Sequence, residues 1–143
     1  KVADISVLNA NYLAKKLSQV RGLELPFPDK LRKHEFVLSA AKMARETGVT
    51  AAHLSKRLLD FGIHAPTVYF PLIVDEALMI EPTETVSKQE LDKAVMAFSK
   101  ASAEAYTDPD LVRDAPRNTA VTRIDEARAS HPKTMQLTWR PRA

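Results

Sequence analysis

Phe61-Gly62-Ile63-His64-Ala65-Pro66-Thr67-Val68-Tyr69-Phe70-Pro71-Leu72-Ile73-Val74-Asp75-Glu76-Ala77-Leu78-Met79-Ile80-Glu81-Pro82-Thr83-Glu84 is the stretch whose reading decides the fold. Three of the chain's nine prolines stand in it, at Pro66, Pro71 and Pro82. Two apolar β-type runs lie between them, Thr67–Phe70 and Ala77–Ile80. Proline fixes φ and donates no backbone hydrogen bond, so such runs are short and end abruptly. Polar groups crowd their ends: His64, Thr67, Glu81, Thr83 and Glu84. Two readings are open. These are core strands with ordinary turn chemistry at their ends, or strand ends that hold side chains facing a site.

Outward from this centre the pattern is helical on both sides. Upstream, Thr50 is a plausible N-cap for a helix through Asp60, with Leu54 and Leu58 inward and Gly62 placed for a left-handed cap. His34–Ala40 reads as a strand with Phe36 and Leu38 on one face, and the segment between it and Gly48 reads as short and irregular. Ile5, Leu8, Tyr12, Leu13, Leu17 and Val20 recur at helical spacing up to Gly22. That helix opens without a cap or an initial Met, as expected of a piece of a longer polypeptide. Downstream, Ser87 and Glu90 form a capping box for a helix with the stripe Leu91, Ala94, Val95, Phe98, Ser102 and Ala105. Asp108-Pro109 starts a short further helix. Ile124–Ala129 reads as a helical turn or two, and Trp139 predicts a tail docked on something apolar.

The sum is an α+β two-layer domain, with a short, mostly antiparallel sheet and helices on one face. The expected division is a linking helix over 1–21, the α+β domain over 22–114 and a basic tail over 115–143. Of the net charge of +3, the tail holds more than all, with six Lys/Arg against Asp125 and Glu126. Its charges are dispersed, with Trp139 as their one aromatic, so a packed, solvated segment is expected and not a nucleic-acid site. A composition of 45% hydrophobic and 27% charged residues is that of an ordinary globular domain. No apolar run reaches membrane-spanning length. The first residues read as mixed and mildly amphipathic, not as a secretory signal. The absence of cysteine excludes disulfides, zinc thiolates and a catalytic thiol, and fits a cytoplasmic location.

The chemical constellations are few. His34, His53, His64 and His131 show no metal-ligand spacing. His53 and His131 read as surface residues; His34 and His64 stand at the ends of extended runs, either as hydrogen-bonded pins or as acid/base groups. Glu81 and Glu84 flank Pro82-Thr83, as a carboxylate pair or as the turn leading into the long helix. With three glycines in all, there is no Gly-rich phosphate loop. Thr47–Tyr69 has a helix-turn-helix register, but its would-be recognition segment carries two prolines and no Arg or Lys to read base edges.

His34-Glu35-Phe36, His64-Ala65-Pro66-Thr67, Tyr69-Phe70-Pro71 and Glu81-Pro82-Thr83-Glu84, in this order, resemble one family. So do Leu8-Asn9-Ala10-Asn11-Tyr12-Leu13 and the run Lys56–Gly62. Over nearly its whole length the chain looks like the C-terminal domain of the pyridoxal-phosphate-dependent glycine decarboxylase. This is the P-protein of the glycine cleavage system, here in the style of the second subunit of its split prokaryotic form. The family's cofactor lysine belongs to a His-Lys motif in a large upstream domain, which this sequence lacks; the segment 22–33 also departs from the family style.

The resemblance implies an enzyme part that is inactive alone. Its parent would use pyridoxal phosphate as an electron sink to release carbon dioxide from glycine and pass the aminomethyl group to the lipoyl arm of the H-protein. Implied partners are the pyridoxal-phosphate-binding large domain, P-protein subunit 1, the lipoylated H-protein and glycine, with no nucleic acid and no membrane. Within the matching motifs the expected catalytic residues are His64 and Thr67. His34, Glu35, Glu81, Thr83 and Glu84 are expected at the substrate or at an interface. The alternatives are the small domain of another fold-type-I enzyme, an aminotransferase or decarboxylase, or a helix-turn-helix-like binding module. An aminotransferase would place a carboxylate-binding arginine among the strand-end motifs, and none is there.

Overall fold

The central strand of the sheet is the second of the two β-type runs. In the computed structural model, which describes residues 1–135, Ala77–Ile80 (β3) lies between Phe36–Ser39 (β1) and Thr67–Val68 (β2), antiparallel to both. The register pairs Phe36 with Ile80, Leu38 with Leu78, and Val68 with Leu78. Strand side chains alternate faces, so these five residues share one face, and all are core residues or pack on the core. On the other face Val37 and Met79 are half-exposed and Thr67 is exposed. The first face is covered by Val2–Leu17 (α1), Ala51–Asp60 (α3) and Lys88–Thr107 (α4), through Leu13, Leu17, Leu54, Leu58 and Phe98. The α+β class, the short antiparallel sheet and its one-sided helical cover are as read from the sequence.

The helix termini follow from local chemistry. Thr50 caps α3, with Oγ1 accepting from His53 N at 3.4 Å, and Ser87 caps α4 through a reciprocal pair with Glu90 at 3.3 and 2.7 Å. At the far end of α3, Ile63 N donates to Leu58 O and Gly62 N to Leu59 O, a Schellman closure that requires Gly62 at φ 73°. A Cβ at Gly62 would meet nothing within 4 Å, so backbone conformation alone demands glycine there. Asp108 caps Pro109–Arg113 (α5) and Asp125 caps Glu126–Ser130 (α6).

Five readings need correction. Residues 41–47 are not irregular but form Ala41–Thr47 (α2); Ala40 offers no side-chain cap, and the start is served instead by Ser39 Oγ, which accepts from Ala41 N at 3.2 Å. The run Thr67–Phe70 is a strand only over Thr67–Val68, because Tyr69 turns out of it at φ 60°. Ile5 and Leu8 carry the helical spacing of α1 but are exposed; burial begins at Asn9. His53 is not a plain surface residue: its Nδ1 accepts from Thr50 N at 3.2 Å, completing the cap. Residues 64–71 contain no helix, which removes the helix-turn-helix reading. Trp139 and the last basic residues, Arg140 and Arg142, lie outside the described residues.

An ion cluster joins α3, α4 and the tail. Arg57, 6% exposed, donates from Nε and Nη2 to both oxygens of Glu104 at 2.8 and 3.1 Å, and from Nη1 to Asp60 Oδ2 at 2.8 Å. The other Asp60 oxygen accepts the backbone N–H of Arg117 and Asn118, each at 2.7 Å. Burial pushes the Asp60 carboxyl up, but these N–H groups and the Arg57 guanidinium outweigh it and hold it below the ordinary carboxylate value. Glu104→Ala leaves a desolvated guanidinium half-paired and is expected to cost about 3 kcal/mol in urea unfolding.

His53 generates a pH dependence. Burial first, then the charges of Arg123, Arg113 and Lys56, lower its pKa. The unfolded chain therefore takes up that proton before the folded one. The contribution is complete above about pH 7 and is lost as pH falls through about 6.5 and below. Urea midpoints are expected to fall between about pH 7.5 and 5.5, and His53→Gln, a capping-box residue that does not titrate, flattens this slope.

Candidate functional site

The register of β3 assembles one polar end of the sheet. Because Phe36 pairs with Ile80, the residues just before β1 lie beside those just after β3, and His34 Nε2 comes 3.8 Å from Glu81 Oε1. Because Thr67 pairs with Met79, the His64–Thr67 corner runs along the other side of the same exit. Pro82 is buried and ends the ladder there.

Two concavities open on either side of the Glu81-Pro82 exit. The larger, ≈ 950 Å³, is a groove between the His64–Thr67 corner, the Met79–Pro82 segment and α4, where Glu90, Lys93 and Lys100 stand among Met96, Ala97 and Phe98. The smaller, ≈ 420 Å³, is a cleft walled by Lys33 and His34, by Glu81–Glu84, and by the first two turns of α1. The structure thus brings His64, Thr67 and Glu81 into the groove, and His34, Glu81, Thr83 and Glu84 into the cleft. Glu35 lines neither. His34, His64, Thr67, Glu81 and Thr83 are exposed and Glu84 is half-buried, so these corners face open concave surface and not a sealed interior.

Local hydrogen bonds hold each corner. Ser55, buried in α3, donates to Pro66 O at 3.2 Å and fixes the His64–Thr67 corner to the core. Thr83 and Thr85 hydroxyls meet at 2.7 Å, and Ser6 Oγ reaches Glu84 Oε2 at 3.5 Å. On the groove rim, the Ser87 N–H and hydroxyl hold the Glu90 carboxyl below its usual range. The ammonium of Lys100 sits 5.0 Å from the Phe61 ring centroid. The groove is therefore an apolar trough with charges of both signs on its rim. It can seat an apolar surface or chain while imidazole, hydroxyl and carboxylate groups line its mouth.

Sequence reasoning missed the residues that hold these corners from beneath: Ser55, Ser6, Asn9 and Asn11. The available signal for the asparagines was their placement at Asn9 and Asn11 in an otherwise apolar stretch, Leu8–Leu13. Ser55 carries no signal, since a serine inside a helix ordinarily faces solvent.

The family described as "Glycine dehydrogenase, C-terminal domain" matches residues 2–120. The chain belongs to that family. It is 61% identical over 140 residues to the probable glycine dehydrogenase (decarboxylating) subunit 2 of Pyrococcus abyssi, covering 98% of this chain and 27% of that protein. The protein of the same name from Thermococcus gammatolerans is 62% identical over 138 residues, covering 96% and 27%. That from Coxiella burnetii (strain Dugway 5J108-111) is 49% identical over 141 residues, covering 99% and 28%. The chain thus spans about a quarter of the length of the curated relatives it matches. Among the described residues no helix is long and apolar enough to cross a membrane, and no group of three or more His, Asp or Glu side chains is arranged to hold a metal ion.

The Ser55 bond makes a local prediction. Ser55→Ala is expected to cost about 1 kcal/mol. In amide NMR spectra the displaced signals outside the turn of α3 around Ser55 are expected to be confined to His64–Thr67 and the start of β2, with those of the β1–β3 pair unmoved.

Proposed function

We propose that this domain forms one wall of the active site of a glycine decarboxylase, whose remaining parts lie in the three quarters of the relatives' length that this chain does not span. The parent reaction is release of carbon dioxide from glycine and transfer of the aminomethyl group to the lipoyl arm of the H-protein. The observation that carries the reading is the open polar end of the sheet. Three of the family's matching motifs, those of His34, His64–Thr67 and Glu81–Glu84, distant in sequence, meet there around two concavities with their polar side chains outward.

The residues of this domain do not fit the task of holding pyridoxal phosphate. Among the described residues no lysine is buried, and the two lysines lining the groove, Lys93 and Lys100, are exposed on a single helix. The cofactor's lysine and phosphate cradle are assigned to the preceding large domain, where the bound cofactor would act as the electron sink. What this chain supplies is the opposing surface. His64, on a corner fixed by Pro66 and Ser55, offers an imidazole that accepts or donates a proton near neutral pH. Thr67 offers a hydroxyl on the same corner to orient a bound group. Glu81, Thr83, Glu84 and His34 present hydrogen-bonding groups across the smaller cleft, and Glu35 serves at an interface.

The domain division stands as part of this reading: α1 leads in from the large domain, residues 22–114 form the wall, and the basic tail from 115 packs outside it. Exposed Val2 and Val7 on α1 line the cleft, and with them the start of α1 is the face offered to the large domain. The partner subunit is subunit 1, as the relatives' name "subunit 2" implies for them. The location that goes with this reading is cytoplasmic.

The test uses full-length subunit 2 assembled with subunit 1. His64→Ala is expected to lower glycine–bicarbonate exchange by about 10²-fold or more, with the urea midpoint of the protein unchanged because His64 is exposed. Unchanged exchange removes His64 from the site. Absence of pyridoxal absorbance and of lipoyl-dependent decarboxylation in the assembled wild type overturns the reading as a whole.

A further inference from the structure

The two walls of the smaller cleft are each gripped by an asparagine of α1. Asn9 is 8% exposed, and both hydrogens of its Nδ2 are used: one goes to Thr83 O at 2.9 Å, the other to Val86 O at 3.1 Å. It thereby holds the turn that carries Glu81, Thr83 and Glu84. Asn11 forms a reciprocal pair with the backbone of Arg32, with Nδ2 donating to Arg32 O at 2.8 Å and Oδ1 accepting from Arg32 N at 2.8 Å. Its second Nδ2 hydrogen goes to Val7 O at 2.8 Å. Arg32 in turn folds its own loop, with Nη2 donating to Pro26 O and Phe27 O at 2.7 Å each. Two residues later comes His34.

Helix geometry explains the spacing. Successive residues are about 100° apart around the axis, so positions flanking one residue lie on opposite sides of it. Ala10, fully buried, points into the core. Asn9 and Asn11 therefore leave the helix on its two flanks and reach two different loops. An asparagine side chain offers an acceptor and two donors, which lets it stand in for a strand's backbone. With its donors saturated on carbonyls in this way, each wall is tied to one rigid helix and not merely to its neighbour.

We infer that Asn9 and Asn11 are positioning residues that set the separation of His34 and Glu81 across the cleft. The inference rests on the reading of that cleft as part of the active-site wall, and deepens it. The His34–Glu81 contact at 3.8 Å is too long to hold the walls by itself, and both side chains are more than half exposed. The β1–β3 ladder brings the walls together at Phe36 and Ile80; beyond its end their spacing is held by α1, through four hydrogen bonds to backbone groups of Arg32, Thr83 and Val86. The chemical consequence is a preset imidazole–carboxylate pair whose geometry depends on residues that touch neither member.

The experiment is a double-mutant cycle in full-length subunit 2 assembled with subunit 1, read in two ways. Asn11 is half-buried on a helix flank, so Asn11→Ala retains the fold. In selectively ¹³C-histidine-labelled protein, Glu81→Gln is expected to displace the His34 imidazole signal in the wild-type background, and by less than half as much in the Asn11→Ala background. A displacement of equal size in both overturns the inference. In glycine–bicarbonate exchange, Glu81→Gln and Asn11→Ala are each expected to lower kcat by about tenfold, and the double variant by no more than about twofold beyond either. Multiplying effects overturn the inference. Asn11→Asp, which keeps the bond from Arg32 N, is expected to fall between wild type and Asn11→Ala. Asn9→Asp, which sets a carboxylate against two carbonyl oxygens, is expected to match the loss of Asn9→Ala and give no rescue. A full spectroscopic coupling with exchange unaffected by Glu81→Gln separates the two levels: the positioning stands, and the place of Glu81 in the active site falls.

Discussion

The antiparallel pairing of β3 with both of its neighbours is the constraint on which the rest of the structure depends. A shift of one residue would turn Leu78 and Ile80 from the helical layer to the open face. The same shift would carry Glu81 away from His34 and the His64–Thr67 corner away from the groove. Core and site are thus set by one ladder. Leu78, opposite both Leu38 and Val68, is fully buried, so hydrophobic burial at the centre of the sheet locates the polar groups at its end.

That coupling is also why so much was legible in the sequence. The prolines at Pro66 and Pro82 mark where pairing must stop, and polar residues beyond a stop have nowhere to go but the sheet's end. Caps at Thr50, Ser87 and Asp108 are local chemistry within four residues and were readable as such. What could not be read depends on contacts between distant segments. The helix Ala41–Thr47 has no cap of its own and borrows a hydroxyl from β1. Tyr69 looks like a strand residue by side-chain type, yet its φ of 60° takes the chain out of the ladder toward the exposed Phe70, Leu72 and Ile73. The bond from Ser55 to Pro66 and those from Asn9 to the Thr83–Val86 turn cross 11 and 74 to 77 positions of sequence. No periodicity encodes such a partner.

The candidate site was legible as a set of motifs but not as two compartments. Glu81 belongs to both because it stands at the exit of the central strand, where the paths from β1 and β2 converge. His34 and His64, similar in sequence context, are separated by that exit and line different concavities. Glu35, adjacent to His34, lines neither: neighbours in an extended chain point to opposite sides. A motif read as a word does not carry that alternation, whereas the register does.

The distribution of rigidity follows the same logic. Arg57 joins α3 to α4 through Glu104, and Asp60 joins the tail to both, so the helical layer is locked by groups that burial makes expensive to separate. Among the described residues, no buried ion pair does this at the polar end. Neutral amides and hydroxyls from Ser55, Asn9 and Asn11 bind backbone carbonyls there and leave the charged side chains outward. Holding a loop by its backbone frees its side chains, whereas holding it by a salt bridge consumes them. The surface that leaves His34, His64 and Glu81 outward is built in the first way. Two exposed apolar residues of α1, Val2 and Val7, adjoin this end. An apolar margin around a preset polar centre is the arrangement by which an interface gains affinity from burial while keeping its chemistry unpaired until contact.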